Sequence, residues 1–176
     1  MDASGVLLVA VVVIGGIAVL NALVTLGLVR QVYELRAGGS ARYEGSVPLG
    51  SRIPDFTGVD VFGTSVNSEA LVGKTKLLLF VSTGCSDCTA TLNELHALDV
   101  KSEGRLALVC RGSTADCRSF VEGYDVPYPV VVDGDMLIAR KFGIDAFPTA
   151  VMLDPEGVIT SRGVPQRSAL ELAAAS

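Results

Sequence analysis

The sequence predicts an α/β domain with a mixed central sheet flanked by helices, preceded by one N-terminal transmembrane helix. Three observations support this prediction. Residues 5–29 contain no Asp, Glu, Lys or Arg. Short apolar runs alternate with helical patterns between residues 76 and 153. The last of these runs is followed by a turn signal and a second short strand, which indicates a hairpin.

Residues 5–29 form a long apolar stretch whose clearly polar members are Asn21 and Thr25. At about 1.5 Å rise per residue, a helix of this length spans the roughly 30 Å hydrocarbon core of a bilayer. The stretch is too long for a signal peptide, no Lys or Arg precedes it, and no small-x-small cleavage site follows it. A buried core helix would normally show a polar face. We therefore predict a transmembrane anchor over 5–29.

The charged residues beside the anchor bear on its orientation. Arg30, Arg36 and Arg42 follow it, whereas Asp2 alone precedes it. The positive-inside rule therefore favours a cytoplasmic C-terminal domain.

A linker and one globular domain follow the anchor. Residues 37–50 are rich in small residues, so we predict a linker over 30–50 and a domain over 51–176. The formal net charge is −5, and the chain has no run of basic residues. Nucleic-acid binding requires a clustered positive surface, so the composition argues against this class of function.

The predicted domain alternates strands and helices. Residues 76–82 (KLLLFVS) are a short apolar run typical of a buried strand. Leu92, Leu95 and Leu98 fall at helical spacing and predict a helix over 89–98, with Cys85 at its first turn. The other predicted elements are strand 105–110, helix 114–123, strand 129–132, helix 136–142, strand 149–153, turn 154–157, returning strand 158–161 and closing helix 168–175.

Residues 84–88 (GCSDC) contain two of the four cysteines. On the first turn of a helix, residues i and i+3 share a face, and the unpaired N–H groups and the helix dipole favour Cys85 as a thiolate. Cys88, one turn further along, would resolve a mixed disulfide. The spacing therefore favours a redox pair. Half of a zinc site and a structural or chance pair are the alternatives. A zinc site needs two more ligands at similar spacing, and His96 is the single histidine.

Phe147, Pro148 and Thr149 lead into a predicted strand. A proline immediately before a buried strand donates no hydrogen bond to the sheet, so proline is unusual at this position. A cis Pro148 that begins the strand at an exposed site would explain its presence. An ordinary proline at the start of a strand is the alternative. The combination with C-x-x-C some sixty residues earlier is more specific than either motif alone.

Together these motifs resemble membrane-tethered thioredoxin-fold proteins of the TlpA/ResA type, and most of all the methylamine-utilisation (MauD) group. The resemblance covers nearly the whole chain. The matching stretches are 28–31 at the end of the anchor, 49–56 (a G-x-x-x-P-D-F motif), 71–74 (L-x-G-K), 85–88 (C-x-x-C), 143–149 around the proline and 153–159 at the hairpin.

The resemblance implies a thioredoxin-like fold and a thiol-disulfide oxidoreductase activity that needs no organic cofactor and no metal. It implies Cys85 and Cys88 as catalytic residues, with Phe147, Pro148 and Thr149 binding an extended client segment. The expected partners are the thiols and disulfides of client proteins and a membrane protein that exchanges electrons through its own dithiol. The resemblance also implies an extracytoplasmic domain, which opposes the orientation that the arginines favour.

The chain departs from thioredoxins proper around the cysteines. Gly84 replaces a tryptophan, Ser86 and Asp87 replace Gly-Pro, and the preceding strand carries no acidic residue. A water molecule or Asp87 would have to accept the proton of Cys88, although a solvated acid in the first helical turn is the more common situation. Asp87 should also disfavour the Cys85 thiolate, which predicts a moderately reducing or intermediate couple.

Cys110 and Cys117 are spaced C-x6-C. We expect Cys110 to end a strand that neighbours the one leading to Cys85, and Cys117 to lie on the following helix. Three interpretations stay open: a structural disulfide, a second redox pair that exchanges with the first, or two packed thiols. A disulfide would indicate an oxidising compartment. His96 is expected at the surface of the helix after Cys88.

Three other functions compete with disulfide exchange. A peroxiredoxin-like peroxide reductase would have P-x-x-x-[TS]-x-x-C before its reactive cysteine, but Leu78 stands at the proline position. A metal-delivery protein of the Sco copper type would have C-x-x-x-C, one residue longer than the spacing here. A catalytically weak interaction module is the third, and the intact C-x-x-C argues against it.

Overall fold

The structure, a computed structural model, describes residues 12–18, 20–21, 24–25, 47–98, 105–124 and 126–174. The chain divides into two compact units, residues 1–42 and 43–176. In the first unit, residues 12–18, 20–21 and 24–25 are helical. Among the residues described, no helix is both long enough and apolar enough to span a bilayer. Most of the predicted anchor and linker lies outside the described residues.

The second unit contains seven strands and five helices among its described residues. The strands are β1 (Thr57–Asp60), β2 (Ser65–Asn67), β3 (Leu77–Ser82), β4 (Leu106–Arg111), β5 (Val130–Val132), β6 (Thr149–Leu153) and β7 (Ile159–Gly163). The helices are α1 (Ser68–Leu71), α2 (Ser86–Ala97), α3 (Thr114–Glu122), α4 (Leu137–Lys141) and α5 (Arg167–Ala174). The elements predicted after residue 75 are therefore confirmed, whereas β1, β2 and α1 were not predicted.

All seven strands form one sheet in the order β2-β1-β5-β4-β3-β6-β7. Strands β3, β4 and β5 run parallel to one another. The remaining pairs are antiparallel, including β3 with β6 and β6 with β7. The predicted mixed sheet and its hairpin are thus confirmed, and β3 lies near the middle with a neighbour on each side.

The two faces of β3 enter two separate cores. Side chains alternate across a strand, so Leu77 and Leu79 pack with residues of α2, α3 and α5. Leu78 and Phe80 pack with residues of α1 and α4 on the opposite face. All four are fully buried, and each contributes roughly 1.5–3 kcal/mol of hydrophobic free energy. A strand covered on both faces explains the unbroken apolar run in the sequence.

The contacts of this unit begin before residue 51. The N–H of Gly50 donates to the Ile159 carbonyl at 2.9 Å. The Arg162 guanidinium donates from Nη2 to the Val47 carbonyl at 2.7 Å. Residues 47–50, which we assigned to the linker, are therefore held against β7.

Candidate active site

The turn after β3 places the first cysteine at the start of α2. Gly84 has a φ of +77°, a left-handed conformation that suits glycine and redirects the chain within one residue. Cys85 is the N-cap residue of α2, and the N–H of Cys88 donates to its sulfur at 3.2 Å. A side chain at this position therefore faces the unpaired N–H groups and the positive end of the helix dipole.

Cys85 and Cys88 form a disulfide, with their Cα atoms 5.2 Å apart. Cys85 is partly exposed, whereas Cys88 is fully buried against Leu92, Leu95 and other residues of the core. An incoming sulfur can therefore reach Cys85 but not Cys88. This asymmetry is what an attacking and a resolving cysteine require.

The segment before β6 lies against this disulfide. The Phe147–Pro148 peptide bond is cis, as the position of the proline suggested. The Phe147 carbonyl oxygen lies 3.7 Å from the Cys85 sulfur. Pro148 is buried, while Phe147 and Thr149 are partly exposed, and the Thr149 hydroxyl donates to the Ala146 carbonyl at 2.7 Å. Of the three residues predicted to bind a client segment, Phe147 thus lies against the accessible sulfur, and Pro148 and Thr149 follow it in the chain.

Cys110 and Cys117 form a second disulfide, with their Cα atoms 6.0 Å apart. Cys110 pairs with Val81 between β4 and β3, and Cys117 lies on α3. Both residues are fully buried in the same core as Cys88. Of the three interpretations, two packed thiols do not match the structure. The burial of both sulfurs favours a structural role over exchange with a client.

Arg111 is a neighbour of the site that our sequence analysis did not identify. Its guanidinium carbon lies 5.9 Å from the centre of the Phe147 ring, within the range of a cation–π contact. Its carbonyl accepts hydrogen bonds from the N–H and the hydroxyl of Thr83, at 3.1 and 3.3 Å. The sequence signal is faint: a basic residue ends the strand predicted to lie beside the one leading to Cys85.

The other polar residues considered from the sequence lie at the surface. Asp87 is exposed in the first turn of α2, as expected of a solvated acid. His96 is exposed, and its Nδ1 lies 3.0 Å from the Tyr124 carbonyl oxygen. Across the parts of the chain that the structure describes, no group of three or more His, Cys, Asp or Glu residues is placed to hold a metal ion.

Comparisons with known proteins show which proteins this chain is similar to. The AhpC/TSA family profile matches residues 49–162. The methylamine utilization protein MauD of Methylobacillus flagellatus is 25% identical over 168 residues, covering 92% of this chain and 81% of that protein. The thiol-disulfide oxidoreductase ResA of Bacillus cereus is 23% identical over 128 residues, covering 70% of this chain and 74% of ResA.

A solved structure shows the same fold. The thioredoxin domain of a thiol-disulfide oxidoreductase from Bacteroides vulgatus superposes with a TM-score of 0.62 at 25% identity, covering 72% of this chain and 96% of that domain. The predicted thioredoxin-like fold is therefore confirmed. With a family profile that spans most of the chain, from residue 49 before β1 to residue 162 in β7, the protein belongs to the AhpC/TSA family.

Proposed function

We propose that this protein is a thiol-disulfide oxidoreductase that exchanges disulfides with cysteines of other proteins. One observation carries the proposal: the Cys85–Cys88 disulfide caps a helix with one sulfur accessible and the other buried. The similarity to ResA and MauD, which extends over most of the chain, supports it.

In the reducing direction, the Cys85 thiolate attacks one sulfur of a client disulfide. A mixed disulfide forms, and the second client sulfur leaves as a thiolate that takes up a proton. The Cys88 thiol then loses its proton and attacks the Cys85 sulfur, which releases the first client sulfur. The client gains two electrons and two protons, and the Cys85–Cys88 disulfide forms. Oxidation of a client follows the same steps in reverse.

The client segment binds beside the Phe147–Pro148 peptide. The Phe147 carbonyl already faces the Cys85 sulfur at 3.7 Å, so a chain bound along residues 147–149 would present its cysteine to that sulfur. Extended peptides bind in this way because their main-chain groups pair with exposed backbone, while side-chain contacts supply specificity.

The proposal includes a membrane tether over residues 5–29 and an extracytoplasmic domain. The Cys110–Cys117 disulfide supports this placement, because structural disulfides persist in oxidising compartments. Arg30, Arg36 and Arg42 favour the opposite orientation. Protease treatment of intact and permeabilised spheroplasts distinguishes the two, since only an extracytoplasmic domain is cleaved in intact ones. A membrane protein with its own dithiol would then restore the redox state of Cys85 and Cys88.

The direct test equilibrates the full chain in graded dithiol buffers, alkylates it and measures each cysteine by mass spectrometry. We expect Cys85 and Cys88 to titrate together as one two-electron couple. We also expect reduced Cys88→Ser to accumulate a mixed disulfide with a disulfide-containing client, because the Cys85 thiolate expels one client sulfur and no Cys88 thiol resolves the product, and Cys85→Ser to form none. If Cys85 and Cys88 never form a disulfide in these buffers, the proposal is wrong.

Peroxide reduction is the enzymatic alternative within the same family. Leu78, at the position where a peroxiredoxin motif has proline, is fully buried in β3 and faces away from the Cys88 core. Hydrogen peroxide consumption by the reduced protein, compared with disulfide reduction under the same conditions, separates the two activities.

A further inference from the structure

We infer that Arg111 determines client specificity in the proposed exchange reaction. Its guanidinium supplies a positive charge that favours client segments with acidic side chains near their reactive cysteine. The inference rests on the proposed function, and it concerns a residue outside both cysteine pairs.

The backbone of Arg111 is fixed beside the active-site turn. Arg111 pairs with Ser82 at the ends of the parallel strands β4 and β3. Its carbonyl accepts two hydrogen bonds from Thr83, which lies two residues before Cys85. At Gly112, a Cβ would lie 2.8 Å from the Thr83 hydroxyl and 3.2 Å from the Cys117 sulfur. The close approach of this loop to the turn therefore requires glycine, and it holds Arg111 next to the motif.

The side chain of Arg111 extends over the client-binding residues. Its guanidinium carbon lies 5.9 Å from the Phe147 ring centre, and the Phe147 carbonyl lies 3.7 Å from the Cys85 sulfur. The ring face attracts the cation and restricts its position. A client cysteine bound at Cys85 would therefore have neighbouring side chains within reach of this guanidinium.

The hydrogen-bond donors of this guanidinium are available. The Arg111 side chain is exposed and forms no ion pair or side-chain hydrogen bond with the residues that the structure describes. A guanidinium presents five N–H donors in a fork that matches a carboxylate. A stacked, restricted arginine also loses less conformational entropy on binding than a free one.

The charge of Arg111 is unusual in its surroundings. The chain has a net charge of −5, and the exposed acids Asp87 and Asp145 lie on the neighbouring segments that contain Cys88 and Phe147. An acidic client is repelled by these groups, so the arginine side of the site is where its carboxylate would bind. Charges of this kind act mainly on association rates and are screened over about 8–10 Å at ordinary salt.

The test compares three small disulfides that differ in charge: oxidised glutathione (anionic), cystamine (cationic) and hydroxyethyl disulfide (neutral). The reduced full chain in neutral detergent reduces each one, and the second-order rate constant is measured at low salt. We expect Arg111→Gln to lower the glutathione-to-hydroxyethyl ratio of rate constants about three- to tenfold and to raise the cystamine-to-hydroxyethyl ratio. Both changes should shrink at high salt, and Arg111→Lys should restore most of each ratio.

Lys74→Gln is the matched control. Lys74 is exposed and precedes β3, so it lies at the end of that strand opposite Cys85, and its loss changes the net charge equally. The rate constants of Lys74→Gln with the three disulfides should have the same ratios to one another as those of the parent protein. Unchanged ratios in Arg111→Gln, or a parallel change with all three disulfides, would overturn the specificity role. Failure of the proposed function is a different result, in which the parent protein reduces none of the three.

Discussion

Replacing Cys110 and Cys117 together by alanine should destabilise the domain while leaving exchange at Cys85 intact. The two sulfurs join β4 to α3 and are fully buried. They lie in the core that also contains Cys88, but the accessible sulfur of the site belongs to Cys85. The substitution thus removes a cross-link without removing a group that a client can contact.

The expected loss follows from the size of the closed loop. The two cysteines are separated by 7 positions, so the loop holds eight residues, and its closure restricts the unfolded chain by about 2.5 kcal/mol. The space left by two buried sulfurs adds about 1 kcal/mol. A total of about 3–4 kcal/mol is a large part of the roughly 5–15 kcal/mol that stabilises a typical domain.

Urea unfolding of the oxidised full chain, followed by circular dichroism, measures this loss. With an m-value of about 1–3 kcal/mol per molar urea, the midpoint should fall by more than about 1 M. The rate constant with hydroxyethyl disulfide at 25 °C should stay within about twofold of the parent value, because neither sulfur contacts the incoming disulfide. Cys117→Ala alone should show a similar loss of stability, since it also opens the loop.

Two results would refute this reasoning. An unchanged urea midpoint would mean that the disulfide does not stabilise the domain. A double variant that still forms the first mixed disulfide but no longer turns over would mean that the Cys110–Cys117 pair exchanges electrons with Cys85 and Cys88. The second outcome would establish the exchange interpretation that the sequence left open.

Three further substitutions test single groups. Burial raises the pKa of Tyr128 from 10.0 to about 12, so the unfolded chain loses this proton first. The free energy of unfolding, measured by urea titration, should therefore fall by up to roughly 2–3 kcal/mol between about pH 10 and pH 12. Tyr128→Phe should lack this contribution, and an equally steep fall in the variant would contradict the assignment to Tyr128. Asp133→Ala removes the carboxylate that accepts the N–H groups of Ile138 and Ala139 at 3.0 and 2.8 Å. Urea unfolding should show a loss of about 1–3 kcal/mol in the free energy of unfolding, and a smaller loss for Asp133→Asn, whose amide oxygen still accepts one hydrogen bond. Equal losses in the two variants would exclude these hydrogen bonds as the cause. Asp87→Asn removes an exposed negative charge beside Cys88. It should raise the reduction potential of the Cys85–Cys88 pair by about 10 mV in glutathione buffers. A lower potential would mean that Asp87 does not make the pair more reducing.

The central part of the fold could be predicted because its signals are local. The first five residues of β3, 77–81, are covered on both faces and are therefore all apolar. The turn at Asp154–Gly157 carries its own chemistry, since the Asp154 carboxylate accepts the N–H of Val158 at 2.7 Å and Gly157 has a φ of +78°. Each signal depends on neighbours in the sequence, so no knowledge of the tertiary structure is needed to find it.

The first hairpin could not be predicted in this way. Strand β1 contains Gly58 and Asp60, and β2 has Val66 as its one apolar residue. Glycine, aspartate and asparagine have low strand propensity, and the strands contain Gly58, Asp60 and Asn67. The strands form because β1 pairs with β5, some seventy residues later in the chain, and because the Asp60 carboxylate accepts the N–H groups of Phe62 and Thr64 at 2.9 and 2.7 Å. Pairing over such a distance leaves no local pattern.

The direction of the strands determines which residues meet at the active site. Strand β6 runs antiparallel to β3, with Thr149 opposite Phe80, so the chain enters β6 at the edge where β3 leaves the sheet. Pro148 and Cys85 must therefore meet, although they are far apart in the sequence. Strand β4 runs parallel to β3, with Arg111 opposite Ser82, so its last residue reaches the same edge. Once the strand order is known, the sequence places Arg111 beside the cysteines. The position of its guanidinium over the Phe147 ring could not be predicted in this way, because only side-chain packing determines it.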